Sequence, residues 1–330
     1  MRVVWLTRFG DPSVLVPGEA PDPVPGPGQA LVDVAYANIT FIETMFRAKG
    51  FGPFKGEFPM VPGNGVGGVV SAVSDGADPA LVGSRVVTST GGSGGYASRV
   101  AVDAAGLVPV PDDLDLDVAV ALLADGRTAL LLLRAAAPKP GERVLVEAAA
   151  GGVGTLLVQL AKAAGATVTG AAGAAKLGLV GDLGADRAVD YTAPDWSAGV
   201  GPLDVVFDGV GGAVAREAFK LLDRSGRMVS YGLSSGAWSD VTDEQAAARG
   251  VTLLRGANGT PEELRALTAE ALRLASDGRL RPVIGQRFPL ERAADAHAAI
   301  EARSTVGKTL LVVGEPVGEG GAAQDGAGAG

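Results

Sequence analysis

The sequence predicts a two-domain α/β protein: a mostly β domain followed by a doubly wound parallel sheet with helices on both faces. Three observations carry this. Residues 1–120 alternate short apolar strands with Pro/Gly clusters such as 21–28. From about residue 117 the rhythm becomes strand and helix in turn, the pattern of a parallel sheet. Between the first such strand and its helix, residues 147–154 read E-A-A-A-G-G-V-G.

In order, strands are expected at 1–8, 30–36, 67–73 and 84–90. A helix at 118–136 is stopped by Pro138-Lys139-Pro140-Gly141. Strand 143–147 then leads to helix 152–164, strand 167–170, helix 174–183 and strand 188–190. Strand 204–207, helix 213–222 and strands 227–231 and 252–255 follow. After Pro261 come a long helix at 262–275, a strand around Phe288, a helix at 291–303 and a strand at 309–313. These last strands return to the first domain. The domains read as 1–120 with 262–313, and 121–261. The segment 314–330 is dominated by Gly and Ala and reads as a disordered tail.

Composition narrows the function. The net charge of −9 argues against nucleic acid or an anionic membrane as partner. No apolar run reaches the ~18 residues that span a bilayer. Residues 1–8 look like a strand and not a signal peptide, since no apolar core or cleavage site follows, so the expected location is cytoplasmic. The chain has no cysteine and one histidine, His297. Disulfides, cysteine nucleophiles and Cys/His zinc sites are excluded, and no metal is expected. A Ser-His-Asp triad would have to use His297. That residue shares an apolar helical stripe with Ala293, Ala294 and Ile300, which reads as a packed structural histidine.

Within 147–154, Ala149, Gly151 and Gly154 trace A-x-G-x-x-G between strand and helix, where a dinucleotide-binding domain holds a pyrophosphate. Backbone N–H groups and the positive helix end face the anion there. Ala150, Gly151, Gly152, Val153 and Gly154 are the candidate phosphate turn; the alternative is an ordinary strand–helix turn. The second strand ends Val168-Thr169-Gly170, with no acidic residue before Asp182 to take a ribose 2′-hydroxyl. Lys176 offers a positive charge for a 2′-phosphate. Both features point to NADPH, against a reading of Lys176 as a solvated lysine at a helix start.

An ordered series of motifs extends the reading. It runs Val61-Pro62-Gly63, Gly67-Gly68-Val69-Val70, Val82-Gly83-Ser84-Arg85-Val86 and Gly94-Gly95-Tyr96-Ala97. Gly126-Arg127-Thr128-Ala129, the phosphate turn, Leu183-Gly184-Ala185-Asp186 and Asp208-Gly209-Val210-Gly211-Gly212 follow. It closes with Gly226-Arg227, Tyr231-Gly232-Leu233-Ser234-Ser235 and Gly307-Lys308. In this order the set resembles the zinc-free quinone oxidoreductase branch of the medium-chain dehydrogenase/reductase family, over residues 1–313. Where zinc-dependent relatives carry His and Glu after Gly63, this chain has Asn64 and Gly65. The resemblance implies a GroES-like, mostly β catalytic domain and a Rossmann cofactor domain. It also implies roles. Lys176 and Tyr191 would line the 2′-phosphate pocket, where Gly173 replaces a family serine. Thr128 would touch the nicotinamide ribose or phosphates. Val210 and Gly211 would lie on the adenine or ribose side. Gly232, Leu233 and Ser234 would approach the nicotinamide, and Lys308 the pyrophosphate.

Without a metal, the acceptor should be activated by conjugation, as in a quinone, an enone or an enoyl thioester. Five of the nine phenylalanines fall in 37–60: Phe41, Phe46, Phe51, Phe54 and Phe58, with Met45 and Met60. They suit a small, apolar, conjugated substrate, and equally a core patch between lobes. Relatives often read Asn-Phe-x-Asp-x-Tyr where this chain has Thr40-Phe41-Ile42-Glu43-Thr44-Met45, and a tyrosine a little further on is matched by Phe51. Thr40 remains a hydrogen-bond donor and Glu43 a candidate acid, or a structural ion-pair carboxylate. The expected activity is NADPH-dependent reduction of quinones or activated C=C bonds. The alternatives are non-redox chemistry on an apolar intermediate and nucleotide binding without catalysis. A homodimer is expected through the apolar edge strand at 251–255, unless 238–249 covers that edge.

Overall fold

The structure is a computed structural model that describes residues 1–256 and 258–314; the expected tail beyond Gly314 lies outside the described residues.

The second lobe is a six-stranded sheet in which every neighbouring pair is parallel. Its order is Arg187–Asp190, Thr167–Ala172, Arg143–Val146, Leu203–Asp208, Leu222–Ser230, Thr252–Arg255. Val144, Leu145 and Val146 are wholly buried, because helices cover both faces. The order reverses between Arg143–Val146 and Leu203–Asp208, and a doubly wound sheet binds its ligand in the crevice at that reversal.

The first lobe is a seven-stranded sheet built around the long strand Gln29–Ile39. That strand pairs antiparallel with Gly65–Val73, Arg99–Asp103 and Lys308–Val312. The returning Ile284–Pro289 joins Lys308–Val312 in parallel. The strands Ile284–Pro289 and Lys308–Val312 thus lie in the first lobe's sheet.

The lobes share the helix Leu116–Ala136, so the boundary expected at 120/121 falls inside one rigid element. Its first half seals the seven-stranded sheet: a Cβ on Gly67 would meet Val120 Cγ2 at 2.3 Å. Its second half lies on the parallel sheet. The helix Pro261–Ser276 packs across it where Gly126 meets Ala271. The segment 262–276 therefore joins the helical layer between the lobes and is not part of the first domain's sheet.

Two local expectations change. The helix expected at 174–183 is a 3₁₀ turn, Ala174–Lys176, followed by Leu177–Asp182; Gly178 and Gly181 weaken a continuous helix. The segment after Ile39, read only as a cleft lining, forms the helix Phe41–Lys49. Thr40 and Glu43 make a capping box at its start, and Gly50 ends it in the left-handed conformation. No helix among the described residues is long and apolar enough to cross a membrane.

Candidate cofactor crevice and catalytic cleft

The phosphate turn stands where the sequence put it, between Arg143–Val146 and the helix Gly152–Ala163 capped by Gly151. Packing requires its glycines. A Cβ on Gly154 would lie 2.2 Å from the Ala148 carbonyl oxygen. One on Gly152 would lie 1.9 Å from Asp125 Oδ2. Gly151 is open except for Ala148 O at 3.2 Å, which leaves backbone room for a ligand. Ala150 is buried, and its carbonyl accepts a 2.8 Å hydrogen bond from Gly307 N of the returning strand. Val153 remains partly exposed on the first turn.

At the far end of the crevice Lys176 does not stand free. Its Nζ donates to the carbonyls of Arg303 (2.8 Å) and Thr305 (2.7 Å). Arg303 in turn donates to Ser234 O at 2.8 Å, and its backbone is left-handed (φ 55°). Burial, and then the Arg303 charge, lower the Lys176 pKa. Burial raises Tyr191, and the Arg303 charge opposes it. Two cations and a half-buried phenol therefore converge there. Sequence reading missed Arg303; its only signal was a cation four residues before Gly307. Gly173 faces open space, where a side chain would fit without clash.

Between these ends, Glu147 and Asp208 close adjacent strands, both wholly buried. Val210 N donates to both, to Glu147 Oε2 (3.3 Å) and Asp208 Oδ1 (3.2 Å), and Gly211 N donates to Asp208 Oδ1 (2.7 Å). Burial and the neighbouring Asp208 charge push the Glu147 carboxyl well above the ordinary range. Glu147 Oε1 and Asp208 Oδ2 have no hydrogen-bond partner among the described residues. Gly232 packs on this turn; a Cβ there would lie 2.4 Å from Gly209 O. Leu233 is buried beside it. The carboxyl pair has no signature in the sequence, because its members are 61 residues apart.

The inter-lobe cleft changes the expected roles. Lys308 does not extend toward solvent or a pyrophosphate: it is buried, with Nζ 3.0 Å from Asp125 Oδ1. Glu43 makes no ion pair among the described residues. Its Oε2 accepts from Thr40 N (2.7 Å) and Thr40 Oγ1 (2.6 Å), and its Oε1 from Asn64 N (3.1 Å). The Thr40 proton expected to serve an acceptor is thus committed to Glu43. Burial raises the Glu43 pKa, opposed by the Thr40 and Asn64 hydrogen bonds and the Lys308 charge. Thr128 is partly exposed on the long helix, one turn beyond Asp125. His297 is the packed residue expected: Nε2 meets Tyr96 Oη at 2.8 Å, and burial lowers its pKa to about 3.

The aromatic segment divides. Phe46 and Phe54 are buried and stack edge-on at 5.6 Å, and Phe9 stacks on both Phe46 and Phe58. Phe46, Phe54 and Met60 belong to the first lobe's core, not to a pocket lining, while Phe9 and Phe58 stay exposed. Met45 is buried too. Phe41 is partly exposed and Phe51 is 39% exposed, which leaves these two able to meet a ligand.

Among the described residues no group of three or more His, Cys, Asp or Glu side chains is placed to hold a metal ion. Family models described as "Alcohol dehydrogenase GroES-like domain" and "Zinc-binding dehydrogenase" match residues 26–112 and 183–311. The chain is 33% identical to a probable quinone oxidoreductase of Schizosaccharomyces pombe, over 95% of this chain and 97% of that protein. It is also 33% identical to a quinone oxidoreductase of Pseudomonas aeruginosa, over 94% and 98%. The crystal structure of Escherichia coli quinone oxidoreductase complexed with NADPH superposes with a TM-score of 0.87 at 30% identity, covering 94% of this chain and all of that one. With its two lobes, its phosphate turn and these relatives, the chain belongs to the medium-chain dehydrogenase/reductase family, in its quinone oxidoreductase-like branch.

Proposed function

We propose that the protein is a zinc-free, NADPH-dependent reductase of quinones or other activated C=C compounds, working in the cytoplasm. The observation that carries the cofactor choice is the convergence of Lys176 and Arg303 at the crevice end, beside a second strand that ends Gly170-Ala171-Ala172 where an acidic residue would take a ribose 2′-hydroxyl. The residues present fit the dinucleotide. The turn at 150–154 offers N–H groups at a helix start, Gly151 leaves room for a pyrophosphate, and Lys176, Arg303 and Tyr191 suit a 2′-phosphate.

NADPH, when bound, supplies a hydride. The chain's own task is to orient a flat acceptor between Phe41, Phe51 and the 232–234 turn, and to supply a proton. NADPH consumption measured against a panel of quinones and enones tests this. Stoichiometric NADPH binding with no consumption on any of them would refute the reductase reading and favour a non-redox role. A chelator should leave the rate unchanged. The homologous acceptors are quinones in the relatives' names, which supports starting the panel there.

We also infer a homodimer. Thr252–Arg255 pairs only with Leu222–Ser230 among the described strands, so its outer edge is open. The exposed Trp238 and the half-buried Leu253 line a 330 Å³ surface hollow beside that edge. The helix Asp243–Arg249 packs near the strand, and Asp243 pairs with Arg255.

A further inference from the structure

Thr40, Glu43, Tyr96 and His297 form one polar group that runs from the cleft into the first lobe: Thr40 bonds Glu43, and Tyr96, beside Glu43, bonds His297. Glu43, Tyr96 and His297 are each more than nine-tenths buried. The Thr40 hydroxyl has one proton and two lone pairs, and that proton lies on the 2.6 Å bond to Glu43 Oε2. While Glu43 is ionised, Thr40 can offer the cleft only lone pairs, which repel an oxyanion. When Glu43 carries a proton, that proton can bond Thr40 Oγ1, and the Thr40 hydroxyl is free to turn outward as a donor.

The rest of the group sets when this happens. Tyr96 Oη lies 2.8 Å from His297 Nε2, and the Glu43 carboxyl is its near neighbour. His297 Nδ1 has no partner among the described residues. A buried N–H without an acceptor is rarer than an unused lone pair, so the imidazole proton belongs on Nε2. His297 then donates to Tyr96, which leaves the Tyr96 proton free to turn toward the neighbouring Glu43 carboxyl. Other charged groups facing the cluster are fixed. Lys308, near Glu43, is bonded to Asp125. Arg47, beside Tyr96 and His297, is bonded to Glu301 and to Gly10 O.

We propose that Thr40 and Glu43 deliver the proton of the reduction, with Thr40 as the terminal donor, Glu43 as the proton store, and Tyr96 and His297 as the positioning residues that tune it. This rests on the reductase reading above. After the acceptor has taken up a hydride, its oxygen holds the resulting negative charge. The Thr40 O–H bond breaks toward that oxygen, Thr40 Oγ1 takes the proton of Glu43 Oε2, and Glu43 is left as carboxylate. Water reaching the partly exposed Thr40 after product leaves returns the proton by the same route.

Two measurements on the full-length protein test this. The first needs no turnover: infrared titration of the parent minus Glu43→Gln, following the carboxylic-acid band. A single carboxyl should lose its proton as pH rises, and in Tyr96→Phe that midpoint should move up by about one unit, since a donor to the carboxylate is gone. The second is the pH profile of acceptor reduction. The parent rate should fall about tenfold per unit above the same midpoint. Glu43→Gln, which can still cap the helix, should be slower by about a hundredfold, in the range of general acid catalysis, and should lack that limb. In Tyr96→Phe the limb should move with the infrared midpoint. An unchanged profile in Glu43→Gln, or a Glu43 ionised at every pH, overturns proton delivery alone. A parent that reduces no quinone or enone overturns the reductase reading and this role with it.

Discussion

Lys308 and Asp125 meet across the lobes at 3.0 Å, and the second oxygen of Asp125 rests against the Cα of Gly152 in the phosphate turn. A cation on the last strand of one lobe thus holds a carboxylate against the glycine turn of the other. Asp125→Ala leaves a buried ammonium without a partner and should destabilise by about 3–5 kcal/mol. Gly152→Ala, which displaces the carboxylate, should cost about 1–3 kcal/mol. With Asp125 already removed, Gly152→Ala should cost at least ~0.5 kcal/mol less, because the two changes disturb one contact. Urea denaturation of the four proteins measures this; additive effects would reject the coupling.

Lys176→Ala and Arg303→Ala should each weaken NADPH binding about tenfold or more, as expected for losing a charge-assisted phosphate contact of ~1.5–3 kcal/mol. NADH, which lacks the phosphate, should bind both variants as it binds the parent. Fluorescence titration with both cofactors decides the matter. Equal losses for the two would mean that these cations only brace the 303–305 backbone.

His297 makes stability depend on pH. Its folded pKa of about 3 lies below the ordinary 6.5, so the folded state binds fewer protons. The contribution is complete above about pH 6.5 and is lost as pH falls toward 3, at about 1.4 kcal/mol per unit. His297→Gln removes this slope. The stability gap between parent and variant, from urea melts, should therefore shrink as pH drops from 7 to 4.5. A constant gap would show that the imidazole is protonated in place.

Light scattering at micromolar concentration should give twice the chain mass of 32.9 kDa. Leu253→Lys, placed on the open sheet edge, should return the protein to the monomer without loss of helix signal. A parent that scatters as a monomer would mean that Asp243–Arg249 is cover enough for the edge.

Much of the fold was legible because it is local. The phosphate turn, the alternation after residue 117 and the stripe that buries His297 each lie within one short window. The Thr40-x-x-Glu43 capping box was equally visible, but comparison with a family motif at those positions drew attention to lost catalytic groups instead of a helix start. What could not be read is long-range. Lys176 finds Arg303 127 residues away, Tyr96 finds His297 across 201, and Asp125 finds Lys308 across 183. Spacing in the sequence carries no trace of such pairs. The phenylalanines show the same limit: composition collected five of them near the cleft, yet only packing sends Phe46 and Phe54 inward and leaves Phe51 outside.

The bond from Gly307 N to Ala150 O, with the parallel bridge between Gly151 and Gly307, fastens the first lobe to the second at the glycine turn itself. The shared helix 116–136 and the Lys308–Asp125 contact lie beside it, so rocking of one lobe on the other is most restrained there. The lever arm is then shortest at the turn proposed to hold a dinucleotide's diphosphate and grows with distance from that point. With the cofactor so placed, acceptors would come and go through a widening outer mouth while that turn stays nearly still.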